Sequence, residues 1–202
     1  MPEFVTSPMI LVLVAIVGYL LGSVPFGIVM ARLFGLGDLR QIGSGNIGAT
    51  NVLRTGSKPA AFLTLIGDAG KGGAAVLIAR ALFAEDAAQI AGFAAFLGHC
   101  FPIYLGFKGG KGVATWLGTM LALAFPLGLA ACATWLVTAL IFRISSLAAL
   151  VAAALSPVVA LLLGLPQLVL LSIALALLIF FRHRANISRL IAGDEPRIAL
   201  KK

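Results

Sequence analysis

From Ile144 to Phe181 the chain runs 38 residues without a charged side chain. No water-soluble fold of this size hides such a run. Pro8–Ala31 (24 residues), Ala87–Phe107 (21) and Gly112–Phe142 (31) are also uncharged, and Pro59–Ala79 is interrupted only by Asp68 and Lys71. At ~1.5 Å per helical residue each spans a hydrocarbon core of ~30 Å. With 61% hydrophobic and 11% charged residues and a mean hydropathy of +1.10, the reading is an all-α integral membrane protein forming a single domain over 1–202. The first run lacks a basic leader and is too long for a removable signal peptide. A net charge of +8 points to cytoplasmic loops and anionic head groups, not to nucleic acid. Cys100 and Cys132 lie in apolar surroundings and read as small buried hydrophobes.

Charge sets the expected topology. The last run divides at Gly164-Leu165-Pro166, and Gly112–Phe142 is too long for one straight helix, with Pro126 and Gly128 near its middle. If that run is a hairpin with arms of about 13 and 16 residues, the chain crosses seven times. One side then collects Arg32, Arg40, Arg54, Lys58, Lys108, Lys111, Arg143 and the six basic residues from Arg182 to Lys202. The other receives Glu3, Glu85, Asp86 and Arg80. As a single helix, the run would cancel most of the bias. The expectation is therefore about seven transmembrane helices, with the N-terminus outside and the C-terminus cytoplasmic. Ser57 before Pro59, and Ser145 or Ser146, read as N-caps of entering helices.

The polar segments gather on the basic side. In "GSGNIGATNVLRT" (Gly43–Thr55), Gly43, Gly45 and Gly48 match G-x-G-x-x-G, but no strand precedes them and no α/β domain fits the loop. "GFKGGKGV" fails the phosphate-loop pattern because Leu105 stands where the first Gly belongs and Gly112 where Ser or Thr belongs. The composition still suits an anion. Glycines admit backbone N–H groups, Ser44, Asn46, Thr50 and Asn51 offer short hydrogen bonds, and Arg54 offers a bidentate fork. Lys108 and Lys111 around Gly109 and Gly110 repeat the recipe. In "RHRANISRL", the i, i+4, i+7 spacing puts Arg182, Asn186 and Arg189 on one helix face, with His183 and Asn186 three apart. His99 fits either a functional or a helix-packing role. Asp68 and Lys71 fit either a functional pair within the membrane or mutual pairing alone.

The acids that face the basic side, Asp38, Asp68, Asp194 and Glu195, are scattered, so metal-dependent phosphotransfer is disfavoured and no metal or cofactor is expected. Tyr104 stands five residues after His99, so the His-plus-Asp signature of common lipid acyltransferases is absent.

With "GSVPFG" (Gly22–Gly27), "GSGNIGATNVLRT", "GHCFPIYLGFKGGKGVAT" (Gly98–Thr115) and "RHRANISRL" in this order, the chain resembles the acyl-phosphate:glycerol-3-phosphate acyltransferase (PlsY) family over essentially its whole length. The resemblance implies a bacterial plasma-membrane enzyme, active at the cytoplasmic face. Such an enzyme passes a fatty acyl group from acyl phosphate to the sn-1 hydroxyl of glycerol 3-phosphate, giving lysophosphatidic acid and phosphate. By the same resemblance, Ser44, Asn46, Thr50, Asn51 and Arg54, with Gly43 and Gly45, hold phosphate and glycerol oxygens. Lys108, Gly109, Gly110 and Lys111 take the donor phosphate, and Ser146, His183 and Asn186 complete the glycerol phosphate pocket. Ser44, Arg54, Lys111, His183 and Asn186 are the expected catalytic set. His183 is the candidate base, with a substrate phosphate oxygen as the alternative. An activated mixed anhydride needs no acyl-enzyme. Membrane lipid and the soluble enzyme that makes acyl phosphate are the expected partners. The competing classes are a transporter of an organic phosphate and a structural subunit whose basic loops bind acidic lipid.

Overall fold

The computed structural model describes residues 3–198 and contains helices, turns and no strand among them. Lys201 and Lys202, part of the basic C-terminus, lie outside the described residues. The chain forms two compact units, residues up to Leu123 and from Ala124 onward.

The first unit contains α1 (Pro8–Gly22), α2 (Phe26–Leu33), α3 (Ala49–Leu53), α4 (Lys58–Leu82), α5 (Glu85–Cys100) and α6 (Val113–Leu123). Its helices approach through small residues, as expected where lipid removes the usual hydrophobic drive between helices. A Cβ on Gly22 would fall 2.0 Å from the Ala95 carbonyl oxygen, and one on Gly118 2.0 Å from that of Ala69. These two positions fix α1 on α5 and α6 on α4. The first long run is not one continuous helix: Pro25 interrupts it between α1 and α2. On α2, Gly27 lies under the glycine-rich loop, where a Cβ would collide with the Ile47 carbonyl oxygen.

Ser57 caps α4 as expected, accepting from Ala60 N. Near the far end of α4, Arg80 pairs with Glu85 and donates to the carbonyls of Ala122 and Leu123, satisfying the last turn of α6. Asp86 accepts from Val5 N, Thr6 N and Thr6 Oγ1. The chain start, the α4–α5 turn and the end of α6 thus share one end of this unit.

The second unit contains α7 (Phe125–Phe142), α8 (Ser145–Leu162), α9 (Val169–Arg182) and α10 (Arg184–Ala192). α8 packs against both α7 and α9, burying Ala148, Ala149, Ala152, Ala153 and Ala160. The last run divides at Gly164–Pro166 as expected.

Gly112–Phe142 divides too, at extended Ala124, into helices of 11 and 18 residues. Two local expectations fail. Ile144, not a serine, is the N-cap residue of α8, and no side chain caps that helix. The helix through "RHRANISRL" breaks at His183 with a 63° bend, so Arg182 does not share a helix face with Asn186 and Arg189. The ring there turns to hydrogen-bond its own backbone, the Ile179 carbonyl, in place of a straight continuation.

Among the described residues, five helical stretches are long and apolar enough to cross a membrane: Pro8–Leu33, Lys58–Leu82, Glu85–Leu105, Phe125–Phe142 and Ser145–Leu162. The bent pair Pro166–Arg182 and Arg184–Ala192 makes a sixth if it is counted as one span. α6 has only 11 residues, or ~17 Å of rise. Exposed Val12, Leu13, Ile16 and Val17 on α1, and Leu136, Val137, Leu140 and Ile141 on α7, supply lipid-facing surface.

Candidate functional site

The glycine-rich loop is organised by Asn51, which is 1% exposed. Its Nδ2 donates to the Leu39 carbonyl (2.9 Å), while its Oδ1 accepts from Ser44 N (3.0 Å), Ser44 Oγ (3.3 Å) and Arg54 Nη1 (3.5 Å). One amide thereby brings Ser44 and Arg54 together. Gly43, at φ +54°, closes over this arrangement, and a Cβ there would lie 2.7 Å from both Asn51 Oδ1 and Arg54 Cδ. Ser44, Thr50 and Arg54 remain exposed. Asn51 therefore shapes the loop from beneath, holding the exposed Ser44 and Arg54 side chains to one amide oxygen.

The second loop folds back over the end of α5. Gly110 N donates to the His99 carbonyl (3.1 Å), and Phe107, at φ +64°, donates its N–H to the Pro102 carbonyl (2.9 Å). A Cβ on Gly110 would lie 2.2 Å from His99 Nε2, so the loop rests directly on that imidazole. Arg40, which sequence reading treated only as a cytoplasmic charge, donates from Nη2 to the Lys108 carbonyl (2.9 Å) and ties the two loops together. Lys108 is exposed and Lys111 half-buried.

Beneath the loops lies a buried polar group. Lys71 Nζ is 2.7 Å from Asp68 Oδ1 and donates to the Val24 carbonyl (2.8 Å), and His99 Nδ1 is 3.4 Å from the same Asp68 oxygen. Asp68, Lys71 and His99 are each no more than 5% exposed. The Asp68–Lys71 pair is thus mutual, and it also ties the α1–α2 break and the end of α5 to α4. A buried pair of this kind is costly to break from one side only, because the partner is left charged and uncompensated.

The second unit carries its own polar cluster. Ser146 Oγ donates to Glu195 Oε1 (2.6 Å), Asn186 Nδ2 donates to the same oxygen, and Arg189 Nε is 2.7 Å from Oε2. Burial pushes the Glu195 carboxyl up, but the hydrogen bonds from Ser146, Asn186 and Arg189, with the Arg189 charge, outweigh it and hold the group below its usual range. Ile198 N donates to the Arg143 carbonyl and pins the tail that delivers Glu195. His183 and Asn186 are 2% and 3% exposed.

Ser146, His183 and Asn186 belong to the second unit, and all other expected site residues to the first. Sequence reading missed the organising roles of Arg40 and Glu195. Arg40 meets Lys108 68 residues away and Glu195 meets Ser146 49 residues away, pairings that no local spacing displays, although Asn186 and Arg189 stand only 9 and 6 residues from Glu195.

A family profile described as Glycerol-3-phosphate acyltransferase matches residues 12–193. Among curated relatives, the Glycerol-3-phosphate acyltransferase of Jannaschia sp. (strain CCS1) is 72% identical over 98% of this chain and 97% of its own length. That of Dinoroseobacter shibae (strain DSM 16493 / NCIMB 14021 / DFL 12) is 65% identical over the full length of both. Crystal structures of PlsY (YgiH), an integral membrane glycerol 3-phosphate acyltransferase, are also similar. Its glycerol 3-phosphate form is 41% identical with a TM-score of 0.88, covering 94% of this chain and 96% of that one. Its lysophosphatidic acid form is 38% identical with a TM-score of 0.84, covering 93% and 94%. On this agreement of profile, sequence and fold, the chain belongs to the glycerol-3-phosphate acyltransferase family.

Proposed function

We propose that the chain transfers a fatty acyl group from acyl phosphate to the sn-1 hydroxyl of glycerol 3-phosphate, releasing lysophosphatidic acid and phosphate, by direct attack without an acyl-enzyme. The observation that carries this reading is the joining of two glycine-rich cationic loops by the Arg40–Lys108 hydrogen bond, as two phosphate-bearing substrates require. That PlsY structures hold glycerol 3-phosphate or lysophosphatidic acid supports the acceptor and the product. Ser44, Thr50 and Arg54 hold phosphate oxygens, with Gly43, Gly45 and Asn46 admitting them and Asn51 keeping the loop in shape. Lys108, Gly109, Gly110 and Lys111 take the donor phosphate and neutralise the charge that builds on it as the acyl–oxygen bond breaks.

Ser146, His183 and Asn186 act on the glycerol part. His183 Nδ1 lies 2.8 Å from the Ile179 carbonyl, which only accepts, so Nδ1 carries a proton. His183 is the proposed recipient of the attacking hydroxyl's proton, with a substrate phosphate oxygen as the alternative. The donor is already activated, so a covalent relay through Ser44 relieves no difficult step.

The chain crosses the bacterial inner membrane seven times, with both loops cytoplasmic and the N-terminus outside. The short α6 counts as a crossing because Arg80, at the far end of α4, holds its last carbonyls. The cytoplasmic loops face the soluble enzyme that makes acyl phosphate, and the acyl tail lies among the spans. Protein purified in detergent, given glycerol 3-phosphate with palmitoyl phosphate or palmitoyl-CoA, tests the donor. Lysophosphatidic acid is expected from the phosphate alone, and equal rates from the thioester contradict the proposal.

A further inference from the structure

Asp68 and Lys71 stand near the middle of α4, 2.7 Å apart, with side chains 2% and 1% exposed. Neither belongs to the expected substrate site. Carrying two charges into the interior costs desolvation, and their attraction offsets it only where the geometry is good and further hydrogen bonds are made. A pair that serves only its own burial is replaceable by apolar residues of similar size at little cost. An ionisable pair inside a membrane helix therefore calls for a use.

The outward contacts of the pair supply one, because each leads to a glycine-rich loop. Lys71 Nζ also donates to the Val24 carbonyl (2.8 Å) and lies 5.9 Å from the centre of the Phe26 ring. Phe26 in turn covers Gly67, where a Cβ would lie 2.5 Å from the ring. The start of α2 is thereby held on α4. Gly27, the next residue, sits directly beneath the Ile47 carbonyl of the first loop. On the other side of the pair, Asp68 Oδ1 is 3.4 Å from His99 Nδ1. That imidazole underlies Gly110, and the His99 carbonyl accepts from Gly110 N (3.1 Å) in the second loop. Lys71 and His99 thus face the same carboxylate oxygen. All of these residues lie in the first unit. The supports of the two loops meet at one atom, and a shift of that atom changes the distance between the loops without altering any residue assigned to substrate.

Resting on the acyltransferase reading above, we infer that Asp68 and Lys71 are positioning residues: the pair sets the separation of the two loops, and with it the alignment of the acyl phosphate and the glycerol 3-phosphate that they hold. Neither side chain touches substrate. A displacement of about 1 Å caused by a distant substitution costs about 10²-fold in rate. The pair therefore acts on kcat more than on the binding of either substrate.

The test replaces the pair together. Asp68→Leu combined with Lys71→Met removes both charges at similar volume, so that neither partner is left charged and uncompensated. Turnover of palmitoyl phosphate is counted per site titrated with labelled glycerol 3-phosphate, so that a loss of folded protein does not register as a loss of rate. The double variant is expected to bind glycerol 3-phosphate within about threefold of the wild-type affinity and to lose about 10²-fold in kcat per site. His99→Leu leaves the pair intact and cuts only its link to the second loop. It is expected to lose at least about tenfold in kcat per site, and it decides the matter if the double variant is not monodisperse in detergent. Wild-type kcat per site in the double variant shows a pair that serves only its own burial and overturns the inference, as does undiminished kcat per site in His99→Leu. Loss of glycerol 3-phosphate binding by a monodisperse double variant overturns it too, because the first loop has then collapsed and not moved. Each of these results, obtained beside brisk wild-type turnover, leaves the acyltransferase reading intact. No turnover of glycerol 3-phosphate by the wild type removes the reading and the inference together.

Discussion

Arg54 and Lys111 carry fixed charge into the two loops, and each is assigned one phosphate. Arg54→Ala and Lys111→Ala are each expected to lower kcat/KM by at least about 10²-fold, the cost of removing a positioned electrostatic donor. Steady-state kinetics with both substrates varied check this, and near wild-type turnover in both returns these residues to plain interfacial anchors. Glu195 gives a prediction in pH. Against the upward push of burial, its carboxyl is held below its ordinary value of 4.5 by the hydrogen bonds of Ser146, Asn186 and Arg189 and by the Arg189 charge. A group with a lowered folded pKa contributes stability that is complete above the ordinary value and is lost as pH falls through the folded one. Protection of residues 193–198 in amide exchange, corrected for intrinsic rates, is therefore expected to hold at neutral pH and to decline only below about pH 4.5. Glu195→Gln should lose that protection across the whole range, and equal protection in the variant and the wild type contradicts the assignment.

Among the elements, α4 depends on both its cap and its buried pair. Ser57→Ala removes the side chain that accepts from Ala60 N and is expected to destabilise by about 0.5–2 kcal/mol. Asp68→Ala strands Lys71 in the interior and is expected to cost more, of order 3–5 kcal/mol. Thermal unfolding in one detergent ranks the two, and the reverse order contradicts the buried network. Turn chemistry made several boundaries legible from sequence: Ser57 with Pro59 marked the start of α4, and Gly164 with Pro166 marked the end of α8. The bend at His183 was not legible, because neither Gly nor Pro stands there and the kink comes with a ring hydrogen-bonding its own backbone. The missing cap at Ser145 and Ser146 has a related cause. The Ser146 hydroxyl goes to Glu195, 49 residues away, a pairing no window of sequence contains. The two loops stood out from composition as candidate anion cradles, whereas Asn51's place as the organiser of the first needed its four hydrogen bonds.

At the scale of the molecule, uncharged runs and the Lys/Arg bias carried the class of fold, since lipid demands long apolar helices and the charge bias sets orientation. The short α6 is the element whose crossing length alone does not settle. A topology test follows, in a background without Cys100 and Cys132. Single cysteines replacing exposed Lys58 and Ala185 are expected to react with an impermeant maleimide only from the cytoplasmic side, and one replacing exposed Glu3 only from outside. Labelling of 58 and 185 from opposite faces contradicts seven crossings. The central claim is direct transfer between two phosphate-bearing substrates. Its most direct test is a single turnover, quenched in milliseconds, with enzyme in excess over acyl-labelled palmitoyl phosphate and glycerol 3-phosphate present. Label is predicted to appear in lysophosphatidic acid as fast as it leaves the donor, with none on the protein at any time. Label that passes through the protein before reaching the lipid, and does not do so in Ser44→Ala, would contradict it.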